Sequence, residues 1–220
     1  MTEHHNAPIR RRGMLRLAMA ALSTSAIPWP AAAAPTGNDS EPIALIQRLD
    51  DALLAAMKAG HSAPFEQRVA ALAPVIEQTF DLDAVLAASI GPSWNALPDD
   101  QKTPLRAAFR RYTVASYAAN FDSYTGQTFQ IAPAVRNVGD AGLIVQTRIV
   151  PTNGSAAQLD YVMRNGPAGW KVVDVLADGS ISRVAVQRSD FRHLLTSGGV
   201  PALMAGLQHK IASLSGGMPA

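Results

Sequence analysis

Cysteine is absent from this 220-residue chain. Its absence excludes disulfides, thiolate metal sites, a cysteine nucleophile and an N-terminal cysteine that could carry a lipid anchor. Aromatic residues are also few, at 6%, and charged residues make up 16%, while 48% of the chain is hydrophobic. These proportions are typical of a globular protein, and the length fits one domain or one domain with an elaboration.

A long hydrophobic run is missing as well. The apolar stretch at 17–27 is shorter than the roughly 20 residues needed to span a membrane. Four arginines between positions 10 and 16 precede it, and the small residues "AAAAP" follow it. This pattern predicts an export signal peptide over residues 1–33, cleaved after Ala33. We expect the Sec route, with the twin-arginine route as the alternative because "RRGMLR" resembles its signature.

A basic excess disappears once the predicted signal peptide is removed. Residues 34–220 carry 15 Lys and Arg against 16 Asp and Glu, so the clustered positive charge of a nucleic-acid-binding protein is missing. We therefore expect no nucleic-acid partner. The charge is unevenly placed, with three basic and ten acidic residues in 34–100 but twelve and six in 101–220. This asymmetry predicts an acidic and a basic side of the molecule.

Recognisable catalytic and metal-binding motifs are missing too. The chain has no Gly-x-Ser-x-Gly motif, and Ser189, Asp190 and His193 form a local group expected to cap a helix. Histidines 61, 193 and 209 lack the paired spacing of a metal site. The acidic pairs 81/83 and 99/100 stand where helices are predicted to begin, a position that favours carboxylates. We expect no catalytic residue, no metal, no cofactor and no enzymatic activity.

Helical periodicity dominates the first half of the chain. Apolar residues recur at helical spacing in segments beginning near Ser40, Pro64, Asp81 and Asp99, with Ser40 and Asp81 as predicted caps. Gly60 is predicted to end the first helix. Pro74 is predicted to kink or break the second. The third runs to residue 90 and the fourth to about residue 121, with a turn at 91–98.

The periodicity changes to two from Thr128 onward. Four antiparallel strands joined by hairpins are predicted at 128–135, 143–150, 158–164 and 170–176. A turn at Asp178-Gly179 and a link at 181–186 follow. The chain then becomes helical near Ser189, breaks at 197–199 and ends in a helix at 201–214. Helices followed by a meander predict an α+β domain.

The aromatic face of the fourth helix and one face of the meander are expected to meet across the interior. The residues predicted to line a ligand cavity there are Tyr112, Tyr117, Val145, Ile149, Tyr161 and Val173. On the last long strand, alternation places Val173 and Val175 on one face and Val172 on the other. A solid core would use the same residues, so an interaction module without a cavity remains an alternative.

Several segments, in order, resemble a known family: "TFDLDAV" (79–85), "IGPSWNALPDDQ" (90–101), "FRRYTVASYAANF" (109–121), "VQTRIV" (145–150), "LDYVMR" (159–164), "WKVVDVLADGSIS" (170–182) and "QRSDFRHLL" (187–195). Together they resemble the MlaC-like, toluene-tolerance family of periplasmic lipid-binding proteins. The segments "VVDVLADGSISRVAVQRSDF" and "YTVASYAANFDSYTGQ" are most similar to its hopanoid-associated HpnM branch. Asp-Gly-Ser-Ile at 178–181 replaces the Glu-Gly-Val-Ser more usual in phospholipid carriers.

The resemblance implies an NTF2-like fold in which helices cup a curved antiparallel sheet of about four strands around an apolar cavity. It implies a soluble periplasmic carrier, associated with an ABC transporter, that moves a phospholipid or hopanoid between complexes of the inner and outer membranes. The expected organisation is a signal peptide (1–33), a linker (34–40), an MlaC-like domain (41–215) and a flexible tail (216–220). An accessory protein or small enzyme of hopanoid metabolism is the alternative.

Overall fold

The computed structural model describes residues 39–216. The predicted signal peptide, residues 34–38 of the predicted linker and residues 217–220 of the predicted tail lie outside the described part. No helix within the described part is long and apolar enough to cross a membrane. The helices are α1 (Ser40–Ala59), α2 (Phe65–Thr79), α3 (Leu82–Ile90), α4 (Ser93–Ala96), α5 (Asp99–Asn120) and α6 (Arg183–Leu214), with 3₁₀ turns at Gly60–Ser62 and Gly139–Ala141.

The predicted helices of the first half are confirmed, with differences in detail. Gly60 ends α1 with a φ of 53°, a conformation that favours glycine. Asp81 caps α3, its Oδ1 accepting a hydrogen bond from the Ala84 amide at 2.9 Å. Of the predicted kink or break at Pro74, the break does not occur, because α2 continues through Pro74 to Thr79. Because Pro74 and Ala70 are both exposed, water can satisfy the Ala70 carbonyl that loses its donor.

One antiparallel sheet follows, with the strand order β1-β3-β4-β5-β6 and β2 paired to β3. Its strands are β1 (Thr128–Ile131), β2 (Arg136–Asn137), β3 (Leu143–Val150), β4 (Ala157–Gly166), β5 (Gly169–Ala177) and β6 (Ile181–Ser182). Within residues 39–216 the sheet therefore has six strands, not the predicted four or so. The two additional strands, β2 and β6, are two residues long, too short to show a periodicity of two.

A β-bulge changes the faces of β5. Val162 pairs with Asp174 but Met163 pairs with Val172, so Val173 is the extra residue on β5. A bulge of this kind interrupts the strict alternation of side chains. Val172 and Val175 consequently pack into the same core, and the predicted placing of Val172 and Val175 on opposite faces is wrong.

Helix α6 begins at Arg183, six residues earlier than predicted, because the sheet and a cap fix its first turn. The Ser182 hydroxyl accepts a hydrogen bond from the Ala185 amide at 2.9 Å. The carboxylate of Asp174 on β5 accepts bonds from the Val184 amide (3.0 Å) and the Ser182 hydroxyl (2.5 Å). The predicted break at 197–199 is confirmed, since Gly199 has a φ of 65° inside α6.

Two apolar clusters hold the fold together. The first, here called the helix–sheet core, joins α1, α2 and the C-terminal half of α5 to β3, β4 and β5. The second, here called the helical core, joins α3, the N-terminal half of α5 and α6. Any site enclosed between helices and sheet must therefore lie in or beside the helix–sheet core.

Candidate functional site

The helix–sheet core is apolar because each element presents one hydrophobic face to it. Ile46, Leu49 and Leu53 recur at helical spacing on α1 and are fully buried. Val145 on β3 lies opposite Tyr161 on β4, and both side chains face these helices. The enclosed surface suits aliphatic groups.

Three of the residues predicted from the sequence to line a cavity meet in this core. Val145 and Tyr161 are buried members of it, and Tyr117 packs against it from α5. Ile149 is half-buried near the end of β3, opposite Phe129 on β1 and Ala157 on β4.

Tyr112 and Val173 are not brought to this core. Tyr112 packs in the helical core, 6.4 Å from the ring centre of Phe109, with the Lys210 ammonium 5.7 Å above its ring. Tyr117 lies five positions after Tyr112, which turns their side chains apart by roughly 140° around α5. Val173 is displaced by the bulge described above.

A row of aromatic rings borders the helix–sheet core. Tyr117 lies 5.6 Å from Phe80, which follows α2, and stacks on Phe121 at 5.8 Å. Phe121 in turn lies 6.2 Å from Phe129 on β1. The row connects the end of α2, the end of α5 and the edge strand β1, and contacts of this kind hold these elements together.

Asp50 on α1 is a functional candidate that the sequence reasoning missed. Its residue surface is only 2% exposed, and within residues 39–216 neither carboxyl oxygen has a hydrogen-bond partner. Burial, with a smaller contribution from the neighbouring Asp51, raises the pKa of Asp50 to about 7. The signal was available: Asp50 follows Ile46 by four residues and precedes Leu53 by three, inside the apolar stripe of α1.

Two tyrosines belong to the same helix–sheet core as Ile46 and Leu53, which flank Asp50 on α1. The Tyr161 hydroxyl is buried and finds no partner among the described residues. Burial raises the pKa of both Tyr117 and Tyr161, and the charge of Asp50 adds to both increases. For Tyr117 the Arg183 guanidinium opposes the increase. Asp50, Tyr117 and Tyr161, here called the inner polar cluster, therefore place a carboxyl group and phenols within electrostatic reach of one another in an apolar surrounding.

Two surface clefts lie elsewhere. One, of about 400 Å³, lies where β2 and β3 approach the start of α1, and Asp39, Leu143 and Trp170 help to line it. The other, of about 410 Å³, lies along the first turns of α6 between Arg188 and Arg192. Neither includes any of the six residues predicted to line a cavity.

The side chains considered for chemistry in the sequence are dispersed. Asp190 forms an ion pair with Lys210 at 3.0 Å, whereas His193 is exposed. Asp83 pairs with Arg106 at 3.3 Å. Over residues 39–216 no three His, Asp or Glu side chains come together in a way that could hold a metal ion.

Comparison with known proteins gives a consistent result. The family model described as MlaC protein matches residues 47–209. Among solved structures, the chain is similar to the phospholipid-binding protein from Ralstonia solanacearum, determined in complex with a phospholipid. The TM-score is 0.68 at 22% sequence identity, and the match covers 79% of this chain and 98% of the Ralstonia chain.

Proposed function

Because the chain belongs to the MlaC family, we propose that it is a lipid carrier that encloses its cargo between the helices and the sheet. The cargo is a phospholipid or a hopanoid, carried through the periplasm between complexes in the inner and outer membranes. An ABC transporter is the expected inner-membrane complex. The protein acts by binding and release, without chemical change of the lipid.

The observation that carries this proposal is the fold shared with a phospholipid complex over 98% of that protein's length. The likeness is one of fold, and the cargo is inferred from it. The apolar helix–sheet core, bordered by an aromatic row, supports the same conclusion because it offers lipid chains an aliphatic and aromatic environment.

A carrier is needed because lipid chains do not cross water readily. Exposed apolar surface costs about 25 cal/mol per Å², so two acyl chains or a pentacyclic skeleton meet a large barrier outside the membrane. A protein that replaces water around these groups removes most of that barrier. Such a function needs binding surface and opening, and it needs no nucleophile or metal.

The hopanoid alternative for the cargo rests on the HpnM-like segments at 112–127 and 172–191. Phospholipid is supported by the Ralstonia complex. The test is mass spectrometry of lipids extracted from the protein purified from its native periplasm. One lipid class at near-equimolar amount is the expected result. A lipid-free protein that also takes no lipid from vesicles would overturn the carrier function.

A further inference from the structure

Asp50 and Tyr161 face the same interior from opposite layers. Asp50 projects from α1 and Tyr161 from β4, and their exposed fractions are 2% and 0%. Within the described part of the chain, the two carboxyl oxygens of Asp50 and the hydroxyl of Tyr161 make no hydrogen bond. Ile46 and Leu53, which flank Asp50 on the buried stripe of α1, share the helix–sheet core with Tyr161.

Other buried polar groups of the same sheet do have partners. The Thr147 hydroxyl, which is also on the helix-facing side, donates to the Leu159 carbonyl at 2.6 Å. Asp160 on β4 accepts from the Gln158 amide at 3.0 Å. Buried polar groups without a partner are rare in folded proteins and cost about 1–3 kcal/mol each. Asp50 and Tyr161 are two such groups on the layers that enclose one core, which indicates a missing hydrogen-bonding partner.

We propose that Asp50 and Tyr161 form a binding site for a hydroxyl group on the buried part of the cargo, so that the preferred cargo is a hydroxylated lipid. This inference rests on the proposed carrier function and specifies its substrate class. Because neither group is accessible to solvent, the cargo reaches the site as α1 and the sheet separate to admit it.

The chemistry of the two groups favours a neutral hydroxyl. A buried carboxyl group is protonated more easily than an exposed one, and in that form it both donates and accepts a hydrogen bond. The Tyr161 phenol also donates and accepts. A hydroxyl satisfies both partners without bringing a charge into the apolar core, whereas a plain hydrocarbon leaves both unpaired.

The test uses competition between matched lipids. Lipid-free protein is incubated with phosphatidylcholine vesicles that contain equal amounts of two pairs: diplopterol with diploptene, and 12-hydroxystearate with stearate. Within each pair the compared lipids share a carbon skeleton. The two stearates differ only in a hydroxyl group, and diplopterol is the alcohol formed by adding water to the alkene of diploptene. The protein is then separated, and the hydroxylated-to-plain ratio of bound lipid is measured by mass spectrometry.

The variants are Asp50→Leu and Tyr161→Phe, with Thr147→Val as the matched control. Thr147 loses a buried hydroxyl on the same sheet face, but one that already has a protein partner. We expect the wild type and Thr147→Val to enrich the hydroxylated member of at least one pair. We expect Asp50→Leu to reduce that ratio about tenfold, the effect of losing one well-placed buried hydrogen bond, and Tyr161→Phe to reduce it in the same direction.

The outcomes separate the two proposals. Ratios that are equal in the wild type and in both variants, while lipid still binds, would overturn the hydroxyl site and leave the carrier function intact. Binding of phosphatidylcholine alone would have the same meaning. Absence of any bound lipid in the wild type would count against the carrier function itself.

Discussion

Val145 on β3 lies directly opposite Tyr161 on β4, and both side chains are buried in the helix–sheet core. Ile144, the neighbour of Val145, points to the other side of the sheet and is also buried. Adjacent positions on one strand therefore sample the two faces of the sheet, and only one face belongs to the proposed cargo site.

Substituting larger side chains on the two faces of β3 tests where the cargo site lies. If the helix-facing side opens for lipid, Val145→Trp and Ile149→Trp should fold and should retain much less lipid. Ile144→Trp should instead lose stability by about 1–3 kcal/mol through overpacking. Urea unfolding and lipid extraction measure both effects. A loss of several kcal/mol in Val145→Trp, or a full lipid load, would remove that position from the site.

The buried carboxyl group of Asp50 predicts a pH-dependent stability. Its folded pKa of about 7 lies above its ordinary value of 3.8, so its contribution to stability is complete below pH 4 and is lost as pH rises through 7. The increase corresponds to about 4 kcal/mol at most. Asp50→Asn should therefore match the wild type near pH 4 and be several kcal/mol more stable at pH 8.

The measurement for Asp50→Asn is denaturant unfolding across that pH range. The exposed neighbour Asp51 provides the control, since Asp51→Asn removes the same charge at the surface of α1. A stability difference between wild type and Asp50→Asn that does not change with pH would show that Asp50 titrates normally.

Gly142, just before β3, lies where the backbone conformation and the neighbouring strand leave no room for a side chain. Its φ is 108°, and a Cβ atom there would collide with the Met163 carbonyl oxygen. Gly139 provides the matched control, because its φ is also positive, at 64°, but no atom lies within 4 Å of the added Cβ. We expect Gly139→Ala to cost about 1 kcal/mol and Gly142→Ala to cost clearly more in thermal unfolding. Equal costs would mean that β4 can shift away from the added Cβ atom with little loss of stability.

Asp174 on β5 accepts two hydrogen bonds that connect the sheet to the start of α6, from the Val184 amide and the Ser182 hydroxyl, and a third from the amide of its neighbour Val175. Asp81 accepts one, from the Ala84 amide at the start of α3. Asp81→Ala should cost about 1 kcal/mol, as for a typical cap. Asp174→Ala should cost more, and hydrogen exchange should increase in the first turns of α6. Unchanged exchange there would show that other contacts hold the helix.

The predicted signal peptide determines which residue begins the mature protein. Cleavage after Ala33 gives a chain beginning at Ala34. N-terminal sequencing of protein released by osmotic shock should find this residue. Recovery only in the membrane fraction after a high-salt wash would contradict the predicted export as a soluble protein.

Local patterns predicted the parts of the fold that local forces determine. Apolar spacing, the Gly60 stop and the Asp81 cap act within a few residues, so α1 and α3 were predicted close to their observed bounds. The predicted break at Pro74 does not occur, because the cost of a proline depends on whether the freed carbonyl meets water, and this depends on tertiary packing.

The site depends on contacts that a linear pattern does not contain. The bulge at Val173 is a property of the pairing of two strands, so alternation along β5 alone could not reveal it. Tyr112 and Tyr117 are only five positions apart in the sequence. However, α5 contributes to both cores, and Tyr112 packs in the helical core while Tyr117 packs in the helix–sheet core. Asp50 stood in an apolar stripe, but its lack of a partner became visible only when α1 was placed on the sheet.

The packing of α1 against β3 and β5 has a consequence for the order of folding. Ile46 shares the helix–sheet core with Val145 and Val172, which lie about 100 or more residues further along the chain. Contacts of such separation form late, because the intervening loop must first be closed. The β3–β4–β5 meander is joined by short turns and can form alone. Docking of α1 onto it is therefore expected to be the slow final step of folding, and its reversal the lowest-energy local opening of the native protein.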